Sequence, residues 1–263
     1  MSFSFAQMAL VAGTLIGLTT AYLGLFVVLR RVVFVGASLA QLASAGVALS
    51  LFLDWPLGLG AAFTLLCGVG LFSLEGARRR LPGEALIGVA YSAAGAAAIL
   101  LIAKAPHGEA EIMDLIFGNI LGVSPSELGW MLGIFSVVGL IHLLFAKEFV
   151  LMAFDPETAR TLGYRVGLWN LLFYLTLAAS IGVAIHAAGV LLVFSYLVFP
   201  PLVGLLLASR WRSVALVSLA TATAATLLGT WASLRWDLPT GAAIVATCFG
   251  SFALASLARR LLG

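Results

Sequence analysis

Residues 34–49 read FVGASLAQLASAGVAL, a stretch of small and apolar residues with one large polar side chain, Gln41, near its middle. It belongs to an uncharged run from Phe34 to Leu53. As a helix, such a run reaches across a hydrocarbon core about 30 Å thick, which takes about 20 residues. Gly36, Ala40, Ser44 and Ala48 recur every fourth position and form one ridge of small side chains. Ridges of this kind let membrane helices approach closely.

The rest of the chain repeats that theme. Of its 263 residues, 62% are hydrophobic and 10% charged, against about 25% charged in a soluble domain. That polar complement is too small to solvate a globule. Apolar runs of about 20 residues recur, whereas a β-barrel would alternate in segments of about ten. The sequence therefore specifies an all-α, polytopic helical membrane protein, a single transmembrane domain over 1–263. Surrounding lipid is its first partner, and nothing points to nucleic acid. No basic residue precedes the first apolar run, so a cleavable signal is not expected. Cys67 and Cys248 both fall in apolar runs and read as buried thiols.

Nine spans fit, at about 5–29, 34–53, 57–75, 84–103, 128–147, 168–186, 189–208, 213–233 and 240–258. Placing the loop after the first span in the cytoplasm puts twelve lysines and arginines inside. Only Lys104 and Arg235 are left outside. The positive-inside rule then sets the N-terminus outside and the C-terminus in the cytoplasm. The segment 104–127 is long for a loop. It reads as an outer-surface helix in preference to a piece dipping into the bilayer.

Two loops carry chemistry. In the outer segment, His107, Glu111 and Asp114 fall at i, i+4 and i+7, with Glu109 near the start. An imidazole with carboxylates suits a divalent cation such as Zn²⁺ or Mn²⁺. The same acids also suit an ordinary solvated loop or a partner's docking surface. The inner loop reads FDPETARTLG, residues 154–163. Asp155 is a good N-cap, Pro156 fits the first helical position and Gly163 suits the stop. These residues specify a short capped helix at about 155–163. Its polar face fits either a connector or a docking element for a soluble partner. His142 and His186 lie near helix ends, where an intramembrane ionisable group is a functional candidate or a headgroup-level hydrogen bonder. Pro200-Pro201 should kink or break its span. No G-x-x-x-x-G-K-[ST] phosphate loop occurs, so ATP-driven transport would need a separate ATPase chain.

Several segments together resemble the permease subunits of ATP-binding-cassette importers for zinc, manganese and iron. They are LGLFVVLRRVVFVGASLAQ, DLIFGNILGVSPSEL, FDPETARTLG, AAGVLLVFSYLVFPPL and LPTGAAIV, in the family's order over nearly the whole chain. The resemblance implies a homodimeric pore in the bacterial inner membrane. It implies a cytoplasmic ATPase subunit on each half and an extracytoplasmic metal-binding protein that delivers substrate. The cargo would be a divalent metal, with no resident cofactor and no enzyme activity in this chain. FDPETARTLG would dock into the ATPase, through Phe154, Asp155, Glu157, Arg160 and Gly163. One departure stands out. Many members place an aspartate and a histidine one turn apart in the second span, facing the path. Here Ala37 and Gln41 occupy those places. Gln41 either lines the path, together with His186, or hydrogen-bonds a neighbouring helix. A metal chelate or other small solute is the alternative cargo. A membrane hydrolase built on the outer His/Glu/Asp cluster is the alternative of another class.

Overall fold

The computed structural model describes residues 5–73, 83–104, 118 and 120–262. Among them every regular element is helical. These are α1 (Phe5–Leu29), α2 (Phe34–Leu53), α3 (Leu57–Ser73) and α4 (Gly83–Ile102). A 3₁₀ turn (Ile120–Gly122) precedes α5 (Pro125–Leu144), α6 (Ala146–Phe154) and α7 (Pro156–Thr161). The long α8 (Val166–Leu207), α9 (Trp211–Trp236) and α10 (Thr240–Leu262) complete the chain. Seven helices are long and apolar enough to cross a membrane, and a shorter apolar helix covers Gly58–Ser73. The multi-pass helical class expected from composition is therefore correct.

The chain divides into two compact units. In the unit that holds α2, α3, α4, α6 and α7, α2 is the interior helix and packs on both α3 and α4. All four residues of its small ridge are buried. Ala45 and Ala48 meet Ala94, Ala98 and Ile102 of α4. The tightest approach lies elsewhere, where Gly46 of α2 meets Gly60 of α3. A Cβ on Gly60 would stand 2.1 Å from the Gly46 carbonyl oxygen. Only glycine permits that backbone contact. Thr64 Oγ1 ties the pair by donating to the Leu42 carbonyl, 2.7 Å away.

The other unit holds most of α1, α9, α10 and the second half of α8. Its α9–α10 hairpin shares the turn pattern of the α2–α3 hairpin and several of its bonds. Both turns read S-x-x-x-D-x-P-x-G, from Ser50 to Gly58 and from Ser233 to Gly241. Asp54 and Asp237 close their helices in the left-handed region, φ 54° and 51°, each N–H bonding the carbonyl of its serine. The serine hydroxyls then reach over the turn, to the Pro56 carbonyl at 3.1 Å and to the Leu238 carbonyl at 2.7 Å. Thr247 Oγ1 donates to the Ala225 carbonyl at 3.0 Å. That bond and its Thr64 counterpart each span 22 residues.

The break expected between the apolar runs at 168–186 and 189–208 falls inside α8 at Gly189, which is non-helical (φ 74°, ψ 165°). Three other local expectations need correction. Helical φ/ψ persists through Pro200 and Pro201, so the pair does not break its span; proline's fixed φ is itself compatible with a helix. The fifth span ends at Leu144, not 147. Phe145 leaves helical geometry, and α6 then starts as a separate amphipathic helix burying Phe149, Met152 and Ala153. Cys67 is exposed, since α3 turns Ala61, Leu65 and Val69 inward and Cys67 away from them. Cys248 is buried as expected.

Candidate functional site

The inner segment builds its own rigid element. The Asp155 carboxylate accepts the Thr158 N–H at 2.9 Å and also the Thr158 hydroxyl. These bonds, the hydroxyl's first, hold the Asp155 carboxyl below the ordinary carboxylate range. Pro156 occupies the first position of α7, where its missing N–H costs nothing. At the other end Gly163 takes φ 88°, a left-handed stop, and its N–H bonds the Arg160 carbonyl at 3.1 Å. Ala159 alone of the helix is buried, against Met152 and Val166. One small side chain thus anchors α7, while Phe154, Asp155, Glu157, Arg160 and Gly163 are all exposed. Leu162 and Tyr164 add exposed apolar surface, 64% and 37% accessible. Sequence reading missed these two. Apolar residues just past a capped polar helix were the available signal.

Behind α7 lies a cavity of about 810 Å³. Arg30 and Arg31, from the LRRVVF stretch, line it together with Pro156 and Arg160 of α7. Arg30 is held in place: its Nη1 donates to Asn170 Oδ1 at 3.0 Å, and its guanidinium lies 4.2 Å from the Phe173 ring centroid. Phe173 belongs to an aromatic cluster around His142. The imidazole stacks on Phe149 with centroids 4.1 Å apart, and its Nε2 lies 3.0 Å from Thr176 Oγ1. His142 is 1% exposed, so it is a packed core residue that ties α5, α6 and α8.

In the other unit, Gly118, Ile120 and Leu121 share a cavity of about 210 Å³ with Leu191 and Leu192 of α8 and with 238–242. Three of the segments that carried the family resemblance meet there. Gly118 presses on the α8 break, where a Cβ would stand 2.2 Å from the Ala188 carbonyl carbon. His186 is exposed just ahead of that break. Ser124 and Glu127 form a capping box at the start of α5, the Ser124 N–H donating to Glu127 Oε2 at 2.7 Å.

Gln41 is half-buried on α2. Its Oε1 lies 3.6 Å from where a Cβ on Gly95 of α4 would stand, so the amide rests over a glycine gap. Ala37 is buried. His107, Glu109, Glu111 and Asp114 lie outside the described residues. Among the described residues no three His, Cys, Asp or Glu side chains gather as a metal site.

The manganese transport system membrane protein MntB of Synechocystis sp. is 28% identical over 258 residues, covering 98% of this chain and 84% of that protein. The chelated iron transport system membrane protein YfeD of Yersinia pestis is 29% identical, covering 93% and 82%. Among solved structures, PsaBC from Streptococcus pneumoniae in complex with Fab superposes with a TM-score of 0.84 at 25% identity, over 97% of this chain and 91% of that one. An inward-facing putative metal-chelate type ABC transporter shares the fold, with a TM-score of 0.78 at 16% identity, over 95% and 85%. The family model of the ABC 3 transport family matches residues 2–260. The chain therefore belongs to the ABC 3 transport family, as a multi-pass permease subunit of the bacterial inner membrane that leaves ATP hydrolysis to a separate chain.

Proposed function

We propose that this permease imports a divalent transition metal, manganese or iron, by alternating access, with α7 as the element that couples it to the ATPase. The observation that carries the coupling role is the geometry of α7. It is capped at both ends, anchored by Ala159 alone, and turns its remaining residues outward. A rigid, exposed, short helix can transmit a push without bending. Phe154, Leu162 and Tyr164 offer the apolar contact area that a soluble partner would cover.

Nine spans follow if the two halves of α8 are counted separately at Gly189 and α3 is added as a short span. The positive-inside count then supports an outer N-terminus and an inner C-terminus for one permease domain. Like the family pattern read from the sequence, the working unit would be a homodimer. It would receive cargo from an extracytoplasmic metal-binding protein, with His107, Glu109, Glu111 and Asp114 on the outer face as first contacts.

In this reading Gln41 and His186 are path residues, and Ala37 and Gln41 stand where many relatives place an aspartate and a histidine. A neutral amide oxygen is a weak ligand for Zn²⁺ and a better one for a harder ion such as Mn²⁺. This favours manganese over zinc, in keeping with the manganese and iron systems among the relatives. The missing carboxylate and imidazole at Ala37 and Gln41 also motivate a second reading, in which the cargo is a metal chelate.

Proteoliposomes carrying the permease, its ATPase and the binding protein test both readings. ATP-dependent uptake of free Mn²⁺, reduced by Gln41→Ala and by Asp114→Ala, is expected. Uptake only when a chelator accompanies the metal would replace the first reading by the second. No metal uptake in either form would overturn both.

A further inference from the structure

We propose that the arginine-lined cavity behind α7 is a binding seat for a phosphate group, presented by an anionic phospholipid headgroup at the cytoplasmic membrane face. Arg30, Arg31 and Arg160 converge on it, with Ser73, Asn170 and Tyr174 as polar neighbours. None of its described lining residues is acidic. Such a cavity repels a divalent cation, so it is no part of the cargo's route. Its chemistry selects the opposite charge. A guanidinium offers a planar fork of donors that matches phosphate oxygens.

Two features mark the seat as prepared. Arg30 is already fixed by the Asn170 amide and the face of Phe173, so little side-chain freedom remains to be lost on binding. Arg31 holds an arginine at φ 57°, a left-handed conformation that glycine or asparagine adopts more readily. The turn alone would be better served by either of those. A guanidinium is retained there at a backbone cost, and the cavity gives it a role.

Position selects the lipid. The seat is framed by the end of α1 at Leu29 and the end of α3 at Ser73, both ends of apolar helices. Basic pockets between spans at the cytoplasmic face bind anionic headgroups. This assignment of the source rests on the orientation proposed above, whereas the phosphate seat itself rests on the cavity alone. A volume of about 810 Å³ admits a headgroup with its glycerol.

Native mass spectrometry of the intact permease–ATPase complex tests the seat, after exchange into phosphatidylcholine with added phosphatidylglycerol or cardiolipin. Retention of the anionic lipids over phosphatidylcholine is expected. Arg31→Asn, which keeps the backbone conformation, should lower that retention about tenfold. Arg30→Lys, which keeps the charge and loses the fork, should lower it less than Arg30→Gln. Inorganic pyrophosphate is the soluble arm. If it binds the wild type and not Arg31→Asn while lipid retention is unaffected, the seat stands and the lipid source falls. Because this readout is binding, failure of the import reading would leave it untouched. Equal retention of neutral and anionic lipid, with pyrophosphate indifferent to Arg31, would overturn the proposal.

Discussion

Replacing Ala159 by proline attacks α7 at its anchor. The Ala159 N–H donates to the Asp155 carbonyl at 3.1 Å, the first bond of the helix. Proline removes that donor and crowds the preceding turn, at a cost of about 3 kcal/mol in a helix interior. Helices shorter than about 12 residues are marginal unaided, and α7 has 6. It is held by its two caps and one buried methyl, so it has little reserve against such a loss. About 3 kcal/mol corresponds to a fall of roughly 150-fold in the population of the intact element. Ala159→Gly costs about 1 kcal/mol by propensity, or roughly fivefold. Its glycine leaves the bond in place and removes only the methyl packed on Met152 and Val166. The assay is ATP-dependent metal uptake by reconstituted complexes, read beside membrane insertion and basal ATPase rate. Uptake should collapse in the proline variant, fall partly in the glycine variant, and leave insertion intact in both. Near wild-type uptake with Ala159→Pro would refute the coupling role of α7.

Other outcomes follow from the same geometry. Gly60→Ala places a Cβ 2.1 Å from the Gly46 carbonyl. Such overpacking costs about 1–3 kcal/mol, visible as a lowered melting temperature in detergent. Thr64→Val and Thr247→Val each delete one interhelical hydrogen bond of the same kind. Each should cost about 0.6–2 kcal/mol, and the two should match within error; a large difference would break the equivalence of the hairpins. The Asp155 carboxyl is held below its ordinary range by Thr158, so its contribution is full above the ordinary carboxylate range. It is lost only as pH falls through the depressed value. Amide exchange at Thr158 should therefore stay protected through mild acid and rise below it. Asp155→Asn, a cap at any pH, should abolish that dependence.

The spans were legible because bilayer thickness leaves its mark as run length. The second span, read as 34–53, is α2 to the residue. What escaped was set by contacts distant in sequence. Helix α6 follows α5 after a single non-helical residue, Phe145, and its Lys147 and Glu148 look like any loop edge. Arg30 meets Asn170 across 140 residues, and no local pattern announces that meeting. Gln41 was visible as an oddity, but the gap it covers belongs to Gly95 on another helix. The cap of α7 was readable in full, because every bond in it is local. The twin S-x-x-x-D-x-P-x-G turns were equally readable; their common pattern is plain once the two hairpins are laid side by side.

Those twin turns bear on how the chain is made. Every bond that closes the Ser50 turn lies within ten residues of the serine. The tip can therefore set as soon as Gly60 leaves the ribosome, before α4 exists. Two apolar segments already folded back on each other can enter the bilayer together, each satisfying polar groups that would otherwise meet lipid alone. The Ser233 turn offers the same economy to α9 and α10. Disabling Ser50 should then delay insertion of α2 and α3, and disabling Ser233 should delay that of α9 and α10, as arrested-translation glycosylation mapping would record.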